Sequence, residues 1–298
     1  SADLTLDESA STFGTLAITG ANVAVTENAA TDLGSSTVSG TFGITSGGAI
    51  TDSGTLAITG DATFTNTSGS NDAITLDDAS NAFAGTVTFA TDSGSAVTIV
   101  DTTALDLKAL SAASLSVTAG GAVTDSGTLA ISGATTLNSG SADITLDQSG
   151  STFGTLAITG ANVAVTENAA MDLGASTISG TASFNSTSNA ITDSGTLAIT
   201  GATTLNSGSA DITLNEASST FGTLVLTGAN VAVTENAATD LGASTVSGTF
   251  GITSGGAITD SGTLAITGDA TFTNTSGSND AITLDDAGNA FAGTVTFA

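Results

Sequence analysis

The sequence predicts an all-β protein built as a parallel β-solenoid, and three observations carry that prediction. The chain repeats itself, because residues 1–90 match residues 209–298 at an offset of 208 with eight differences. Short stretches alternate apolar and polar residues with period two, as in strands with one buried face. Sustained apolar spacing of three and four, which indicates helix, is missing. Residues 1–298 are therefore expected to be one continuous solenoid segment of a longer repeat protein.

The repeating unit is a coil of about three strands. Successive first strands start 18–31 residues apart, which predicts about 13 coils. In the unit that starts at Thr128, the three strands are TLAISG, ATTLNSG and ADITLDQ. Neighbouring coils are expected to stack about 4.8 Å apart. The alternative all-β arrangement is a sandwich of antiparallel hairpins, but the Asn-Gly and Asp-Gly turns that favour it do not occur.

Two residue types recur at the predicted corners. A phenylalanine stands shortly before the first Thr of several coils, where its ring would plug a buried corner or, in a second interpretation, offer a platform for stacking sugars. These residues are Phe13, Phe83, Phe153, Phe221 and Phe291. An asparagine also recurs, and we expect its amide to satisfy backbone groups of the corner. The repeated positions are Asn22, Asn162 and Asn230.

The composition is acidic and excludes several functions. The chain has 28 acidic residues, a single basic residue (Lys108), and no His or Cys. We expect no nucleic-acid partner, because displacing counterions from phosphates requires Lys and Arg. Anionic membrane surfaces are disfavoured for the same reason, and no apolar run is long enough to be inserted across a membrane. The lack of Cys excludes disulfides and thiolate metal sites.

Acidic residues recur near the third strand of many coils and are expected to form roughly one column of the stacked solenoid. They are Asp32, Asp52, Asp77, Asp125, Asp147, Asp172, Asp193 and Glu216. One interpretation is solvated charge that favours solubility. The other is that Ca²⁺ bridges the aspartates and corner carbonyls between coils, so the seven aspartates are candidate metal ligands. No cofactor is required by either the fold or the composition.

We expect no enzymatic activity. General acid–base sites commonly use Arg, His or Lys, and this chain offers carboxylates and hydroxyls almost alone. A polysaccharide-acting β-helix is a remote alternative, since two carboxylates such as Asp77 and Asp78 suffice for some glycosidases. Those neighbours, however, point to opposite faces of a strand. Ice binding through rows of Thr is equally remote, because Ala, Ser and Gly interrupt the rows.

Longer phrases carry a resemblance to a known family. ATTLNSGSADITLDQ and DLGASTVSG recur with small changes over essentially the whole chain, and they resemble the repeat region of filamentous-haemagglutinin-like giant exoproteins. The resemblance implies a right-handed parallel β-helix shaft that Gram-negative bacteria secrete, often by the two-partner pathway, and display at the cell surface. It also implies a role in adhesion, cell–cell contact or biofilm. It supplies no receptor.

The sequence thus predicts a structural segment of an extracellular bacterial fibre or adhesin, which provides reach and rigidity. Its partners are expected to be neighbouring repeats and lateral copies in a multi-chain filament, with other cells or surface glycans as targets. The competing hypothesis is a binding module that adheres through corner loops, such as residues 66–72, or through a Ca²⁺-dependent surface.

Overall fold

The computed structural model describes residues 2–277 and 280–298. These residues form strands, turns and bends, with no helix among them. Accordingly, the described ranges contain no helix long and apolar enough to cross a lipid bilayer. The chain divides into two units, Ser1–Gly154 and Thr155–Ala298. Each unit by itself is a right-handed parallel β-solenoid, which confirms the predicted fold class.

Strands of the first unit pair in parallel with strands one turn later and so form ladders. The first ladder consists of Leu4–Leu6, Val23–Glu27, Phe42–Ser46, Ala62–Asn66, Thr86–Ala90, Leu105–Leu107, Val123–Asp125 and Ile144–Leu146. The second ladder consists of Thr15–Leu16, Thr31–Leu33, Ile50–Asp52, Ile74–Leu76, Ala96–Asp101, Ser114–Ala119 and Ala134–Asn138. Shorter ladders are formed by Thr19–Gly20, Ser36–Val38, Leu56–Ile58 and Ala82–Phe83, and by Leu110–Ala112 and Leu129–Ile131.

The second unit is built in the same way. Its first ladder consists of Val163–Thr166, Ala182–Asn185, Thr203–Asn206, Thr223–Gly228, Thr239–Leu241, Ile258–Asp260 and Ile282–Thr283. Its second ladder consists of Thr155–Gly160, Met171–Leu173, Ile191–Asp193, Ile212–Leu214, Val231–Glu235, Phe250–Ser254, Ala270–Asn274 and Val295–Phe297. The flanking short strands are Ser176–Ile178, Leu197–Ile199, Ser244–Val246, Leu264–Ile266 and Ala290–Phe291.

Coil length is more even than the sequence suggested. Residues paired across one turn are 17 to 25 positions apart, instead of 18–31. The long interval from Thr55 to Thr86 is not one turn, because the strands that start at or directly after these residues, Leu56–Ile58 and Thr86–Ala90, belong to different ladders. Ala57 pairs with Ala82 in a short ladder, whereas Thr86 pairs with Asp106 in the first ladder. The described residues make about 14 turns, against 13 predicted.

Each coil has a long face and a split face. The long face carries one strand, mostly of four to six residues, and the split face carries two strands of two or three residues beside a corner. The relation is visible at Thr155–Gly160, whose first half pairs with Met171–Leu173. Its second half pairs with Ser176–Ile178. Two short strands therefore cover the same face that one long strand covers.

The two faces exchange roles at particular strands, which we call swap strands. In the second unit, the swap strand Thr223–Gly228 pairs backward with the single strand Thr203–Asn206. It pairs forward with two strands, Thr239–Leu241 and Ser244–Val246. In the first unit, Thr86–Ala90 is the corresponding strand. Within each unit, the long face consequently passes from the first ladder to the second.

The core follows the predicted alternation. In Val23–Glu27 and Phe42–Ser46, the first, third and fifth residues are buried and the others are more exposed. Like side chains stack from coil to coil: the Phe64 ring lies 5.9 Å from the Phe42 ring and 5.8 Å from the Phe89 ring, centroid to centroid. Each coil thus buries its apolar side chains against those of its neighbours.

Candidate functional site

The candidate carboxylates do not form one column, which corrects the prediction. In the first unit, Asp32, Asp52 and Asp77 lie on or directly after strands of the second ladder. Asp125 lies on the first ladder instead, and Asp147 directly follows a strand of that ladder. The split face moves from one ladder to the other at the swap strand, and the acidic residues move with it.

Within a ladder the carboxylates are also staggered. Asp32 pairs with Thr51 and not with Asp52, which lies one position further along its strand. In the second unit, Asp172 and Asp193 are offset in the same way. The stagger separates carboxylates that a strict column would stack directly on each other, and it reduces their repulsion.

These carboxylates bind groups of the protein itself. Asp52 Oδ1 accepts the Asp77 N–H at 2.8 Å. Asp193 accepts the N–H of Asn215 at 2.8 Å and that of Glu216 at 3.2 Å. They satisfy backbone donors at corners, where the strand of the next coil has ended.

Asp32 is held by hydroxyl groups. Its Oδ2 accepts hydrogen bonds from the Thr15 hydroxyl at 2.6 Å and the Ser53 hydroxyl at 2.9 Å. Asp172 and Asp240 are bound by Thr and Ser hydroxyls in the same arrangement in the second unit. These residues connect three successive coils through their side chains.

Asp125 is less fully hydrogen-bonded than the other members of the set. Its Oδ1 accepts the Asp147 N–H at 2.9 Å, but its Oδ2 is buried and has no hydrogen-bond partner among the described residues. At the equivalent place in an earlier coil, the Asn81 amide donates to Asp52. Ser151 stands where Asn81 stood and is shorter. Burial raises the pKa of Asp125, with the nearby Asp147 charge acting in the same direction.

The described ranges contain no group of three or more Asp, Glu, His or Cys side chains arranged to hold a metal ion. The carboxylates that were predicted as Ca²⁺ ligands are separated by the stagger and by the exchange of faces. Bridging by Ca²⁺ stays the untested alternative to solvated charge, and it would have to use isolated carboxylates with corner carbonyls.

The structure also reveals buried carboxylates that the sequence reasoning missed. Glu235, only 2% exposed, accepts the Phe221 N–H at 3.1 Å and the Thr239 hydroxyl at 2.9 Å. Burial raises the pKa of Glu235 to about 7, although both hydrogen bonds oppose the change. In the first unit, Asp101 accepts the Phe83 N–H at 3.3 Å, and burial raises its pKa as well.

Glu235 and Asp101 lie in coils where a face that carried short strands in the previous coils carries one long strand. Glu27 accepts the Phe13 N–H at 2.7 Å, so it plays the part that Glu235 plays for Phe221. In both cases the carboxylate provides an acceptor for a buried N–H that a strand of the next coil would otherwise bind. The available sequence signal was a Phe-Gly pair with a Glu fourteen residues after the Phe.

The predicted corner role of phenylalanine is confirmed in the inner coils. Phe83, Phe153 and Phe221 are 0%, 4% and 6% exposed. Phe13 and Phe291 are half-buried. The buried rings fill the interior and offer no face for a sugar to stack on.

The predicted corner role of asparagine is also confirmed. The Asn22 Oδ1 accepts the Thr41 N–H at 3.1 Å, and the Asn230 Oδ1 accepts the Thr249 N–H at 3.0 Å. Asn162 makes the same bond to the corresponding Thr of its next coil. The repeated asparagines therefore join corners of neighbouring coils.

A groove of about 290 Å³ on the first unit breaks the repetition. Asp61, Thr86, Asp106 and Thr124 line it together with small apolar residues. The Nζ of Lys108 lies 4.0 Å from Asp61 Oδ2. The Thr86 N–H and hydroxyl, with a smaller contribution from Lys108, lower the pKa of Asp61. Here the basic residue of the chain lies beside the Asp61 carboxylate.

The corner loop at residues 66–72 is held by its own first residue. The Asn66 amide donates to the Asp72 carbonyl at 3.0 Å, and the Asn66 Oδ1 accepts the Ser68 N–H at 2.9 Å. Asn71 adopts a positive φ of 57° in the same turn. The loop is thus a structured corner that projects between two ladders.

The fold and these side chains define a repeat protein of the β-solenoid class. Its coils form groups, and each group ends at a swap strand, where the long face and the split face exchange roles. Four consecutive segments match a family model described as repeats of unknown function (DUF5649), at residues 20–90, 94–159, 160–227 and 228–298. The chain belongs to this family. No curated protein and no solved structure matches it significantly.

The family repeat has a structural meaning in this protein. The first three matched segments end on Thr86–Ala90, Thr155–Gly160 and Thr223–Gly228. Thr155–Gly160 and Thr223–Gly228 each pair with two short strands in the following coil. Thr86–Ala90 pairs with Leu105–Leu107 and contacts the short strand Leu110–Ala112. One family repeat therefore corresponds to a stack of coils between one exchange of faces and the next.

Proposed function

We propose that the chain is a structural segment of a bacterial surface fibre, which gives the fibre length and rigidity for attachment to cells or surfaces. The observation that carries this proposal is the parallel pairing of coil with coil in both units. Because the ladder bonds of a coil are made to its neighbours, stability arises from stacking, and repeats can be added without a new fold.

Secretion and display outside the cell are part of the proposal. They are supported by the resemblance of the repeat phrases to filamentous-haemagglutinin-like exoproteins and by the lack of Cys. The absence of catalysis is proposed as well. It is supported by carboxylates such as Asp52 and Asp32, which are engaged by backbone N–H groups and hydroxyls that hold the coils together.

A reach assay tests the proposal. The chain is displayed on bacteria between a membrane anchor and a terminal peptide tag, and variants lack residues 160–227 or carry them twice. Capture by tag-binding beads through a capsule layer should increase with the number of repeats. Capture that does not depend on repeat number would rule out a shaft. An untagged chain is the control for adhesion by the solenoid itself.

The competing binding-module hypothesis makes a different prediction in the same assay. Replacing residues 66–72 by SGG, which is the corner that residues 46–48 form in the preceding shorter coil, removes the projecting loop and leaves the ladders in place. A shaft should retain tag-dependent capture and show no change in attachment to host cells. A loss of attachment by the untagged chain would favour adhesion through the loop.

A further inference from the structure

The long face and the split face of the first unit differ in charge. Every outward residue on four consecutive long strands of the first ladder is Ala, Gly or Thr. These strands are Val23–Glu27, Phe42–Ser46, Ala62–Asn66 and Thr86–Ala90. The carboxylates of the same coils lie on the split face, at corners or in the core, as Asp32, Asp61 and Glu27 illustrate.

The outward side chains of these four strands form straight rows. Thr26 pairs with Thr45, and Thr45 pairs with Thr65. Ala90 continues the row, and a second row that starts at Ala24 also holds only Ala, Gly and Thr. Because no side chain here is larger than Thr, the four strands present a flat and uncharged surface, which we call the long-face patch.

Charge indicates what covers the long-face patch. The chain has a net charge of −27, so most approaches of one copy to another bring carboxylates together and are repelled. Two long-face patches can meet without placing a carboxylate inside the contact. A charged partner, by contrast, finds no opposite charge on the patch. A second copy of the chain therefore fits this surface, with sheet packed on sheet.

The area of the patch limits the strength of the contact. Four strands of five residues cover roughly 300 Å², so two patches bury about 600 Å² in total. Stable interfaces bury about 1,200–2,000 Å², so one pair of patches binds weakly. The patch recurs in the second unit on Val231–Glu235, Phe250–Ser254 and Ala270–Asn274. Association becomes stable where several patches engage at once.

Uncharged strands lie on both faces of the first unit. After the swap strand Thr86–Ala90, the long strands belong to the second ladder and are Ala96–Asp101, Ser114–Ala119 and Ala134–Asn138. Their outward residues carry no charge either. One copy can therefore contact one neighbour through each face, and such contacts build an open layer instead of a closed dimer.

We propose that copies of the chain associate side by side through their uncharged long faces, in a layer that the charged split faces cannot form. This inference deepens the proposed shaft function by naming a partner of the shaft, and it rests on that proposal. Repulsion between the remaining surfaces opposes the contact. Association should therefore increase with salt, up to about 1 M NaCl, where the Debye length is about 3 Å.

Sedimentation velocity of the full chain tests the contact with two matched variants. Thr45 lies in the long-face patch, and Thr51 lies on the split face of the same coil. Thr45→Asp and Thr51→Asp add the same charge, but only Thr45→Asp places it inside the contact. Thr45→Asp should weaken association at high salt about tenfold or more, and Thr51→Asp should leave it unchanged. Circular dichroism reports that both variants are folded.

Two results would overturn the proposal: a parent chain that stays monomeric at every concentration and salt, or an equal loss of association in both variants. Neither result alters capture in the reach assay, so failure of the lateral contact is distinguishable from failure of the shaft. Adsorption of a monomeric chain to cellulose or to growing ice, lost in Thr45→Asp, would assign the patch to a crystalline surface and would also overturn the proposal.

Cross-linking locates the contact, because the chain has no cysteine of its own. With a short bis-maleimide at high salt, Thr45→Cys should give covalent dimers and Thr51→Cys should give few. Ser116 lies on a long strand of the second ladder. Thr45→Cys combined with Ser116→Cys should therefore give larger multimers. Equal cross-linking through Thr51→Cys, or dimers alone from the double variant, would refute a layer built through the long faces.

Discussion

Buried threonines in this solenoid differ in whether their hydroxyl finds an acceptor. The Thr239 hydroxyl donates to Glu235 at 2.9 Å. The Thr135 side chain is fully buried, and its hydroxyl has no hydrogen-bond partner in the described residues. Thr135 pairs with Leu115, and Leu115 with Val97, so its row of the core is otherwise apolar. The Thr135 hydroxyl therefore costs stability that a methyl group would not.

We expect Thr135→Val to raise the free energy of unfolding by about 1 kcal/mol, because it removes an unsatisfied polar group without changing volume. The matched substitution Thr239→Val removes a hydroxyl that is bonded to Glu235, and it should lower the same free energy by about 1–3 kcal/mol. Urea denaturation followed by circular dichroism measures both. A Thr135 variant that is destabilised would show that its hydroxyl does make a bond.

The buried Glu235 makes stability depend on pH. Its pKa in the folded protein is about 7, against 4.5 for an ordinary glutamate, so the folded state retains a proton that the unfolded state releases. The associated stability is fully present below pH 4.5 and is lost as the pH rises from about 4.5 to 7. Burial is the cause, and no charged neighbour among the described residues contributes to the shift.

Glu235→Gln should remove this dependence. A neutral amide can still accept the Phe221 N–H and donate to Thr239. The variant should therefore be more stable than the parent at pH 8, by at most about 3 kcal/mol, and close to it at pH 4.5. Thermal melts at the two pH values measure the difference, with the exposed Glu8→Gln as control. An equal gain at both pH values would contradict the role of the charge.

At the scale of the strand, one phrase folds in two ways. TLAITG forms a continuous strand at Thr155–Gly160, but at residues 55–60 it contributes only the short strand Leu56–Ile58. Strand propensity cannot distinguish identical residues. The preceding corner does not decide the outcome, because the same phrase at residues 15–20 also follows Phe-Gly and forms two short strands, Thr15–Leu16 and Thr19–Gly20. The neighbouring coils decide whether the phrase forms one strand or shorter ones.

This limits what the sequence could predict. Period-two alternation and corner residues such as Phe83 and Asn22 were sufficient for the fold and the buried corners. The exchange of faces was not predictable from local pattern, and so the carboxylates were assigned to one column. Lys108 stood out in the sequence, but its proximity to Asp61 depends on which coils become neighbours. That proximity is fixed by the pairing register between residues far apart in the sequence, which local sequence patterns do not show.

Corner glycines set how closely coils approach. Gly40, Gly60 and Gly85 stack on each other, and a Cβ on Gly60 would lie 2.5 Å from the carbonyl of Gly40. Gly60→Ala should lower the free energy of unfolding by about 1–3 kcal/mol, because the backbone of one coil must shift. Gly14→Ala, where no atom lies within 4 Å of the new Cβ, should be neutral or stabilising by up to about 1 kcal/mol. Equal effects in denaturant titrations would contradict close stacking.

At the scale of the whole chain, the charge of −27 opposes the compact state. NaCl should raise the melting temperature by screening this repulsion. CaCl₂ at the same ionic strength should add nothing, because carboxylates such as Asp52 and Asp193 already accept N–H groups. Differential scanning calorimetry with EDTA and with each salt measures this. A rise that is specific to Ca²⁺ would instead support bridging of coils by the metal.

We expect that deleting one whole family repeat leaves the rest of the chain able to fold. Removing residues 160–227 joins Thr159 to Gly228 and regenerates TLAITGANVAVTEN, the phrase at residues 15–28. Every strand near the junction then meets the kind of neighbour that it has in the parent chain. The shortened protein should unfold cooperatively, with a urea m-value lower by about a quarter, in proportion to the surface removed.

Removing residues 182–191 is the matched out-of-phase deletion. Ala182 pairs with Thr203 in the parent chain, so this deletion takes away about half a coil and places short and long strands against the wrong partners. Apolar side chains are then no longer aligned with the buried side chains of the next coil, because the pairing register decides which face they point to. We expect this smaller deletion to abolish cooperative unfolding in at least the second unit. If it were tolerated as well as the larger one, stacking in register would not be what holds the coils together.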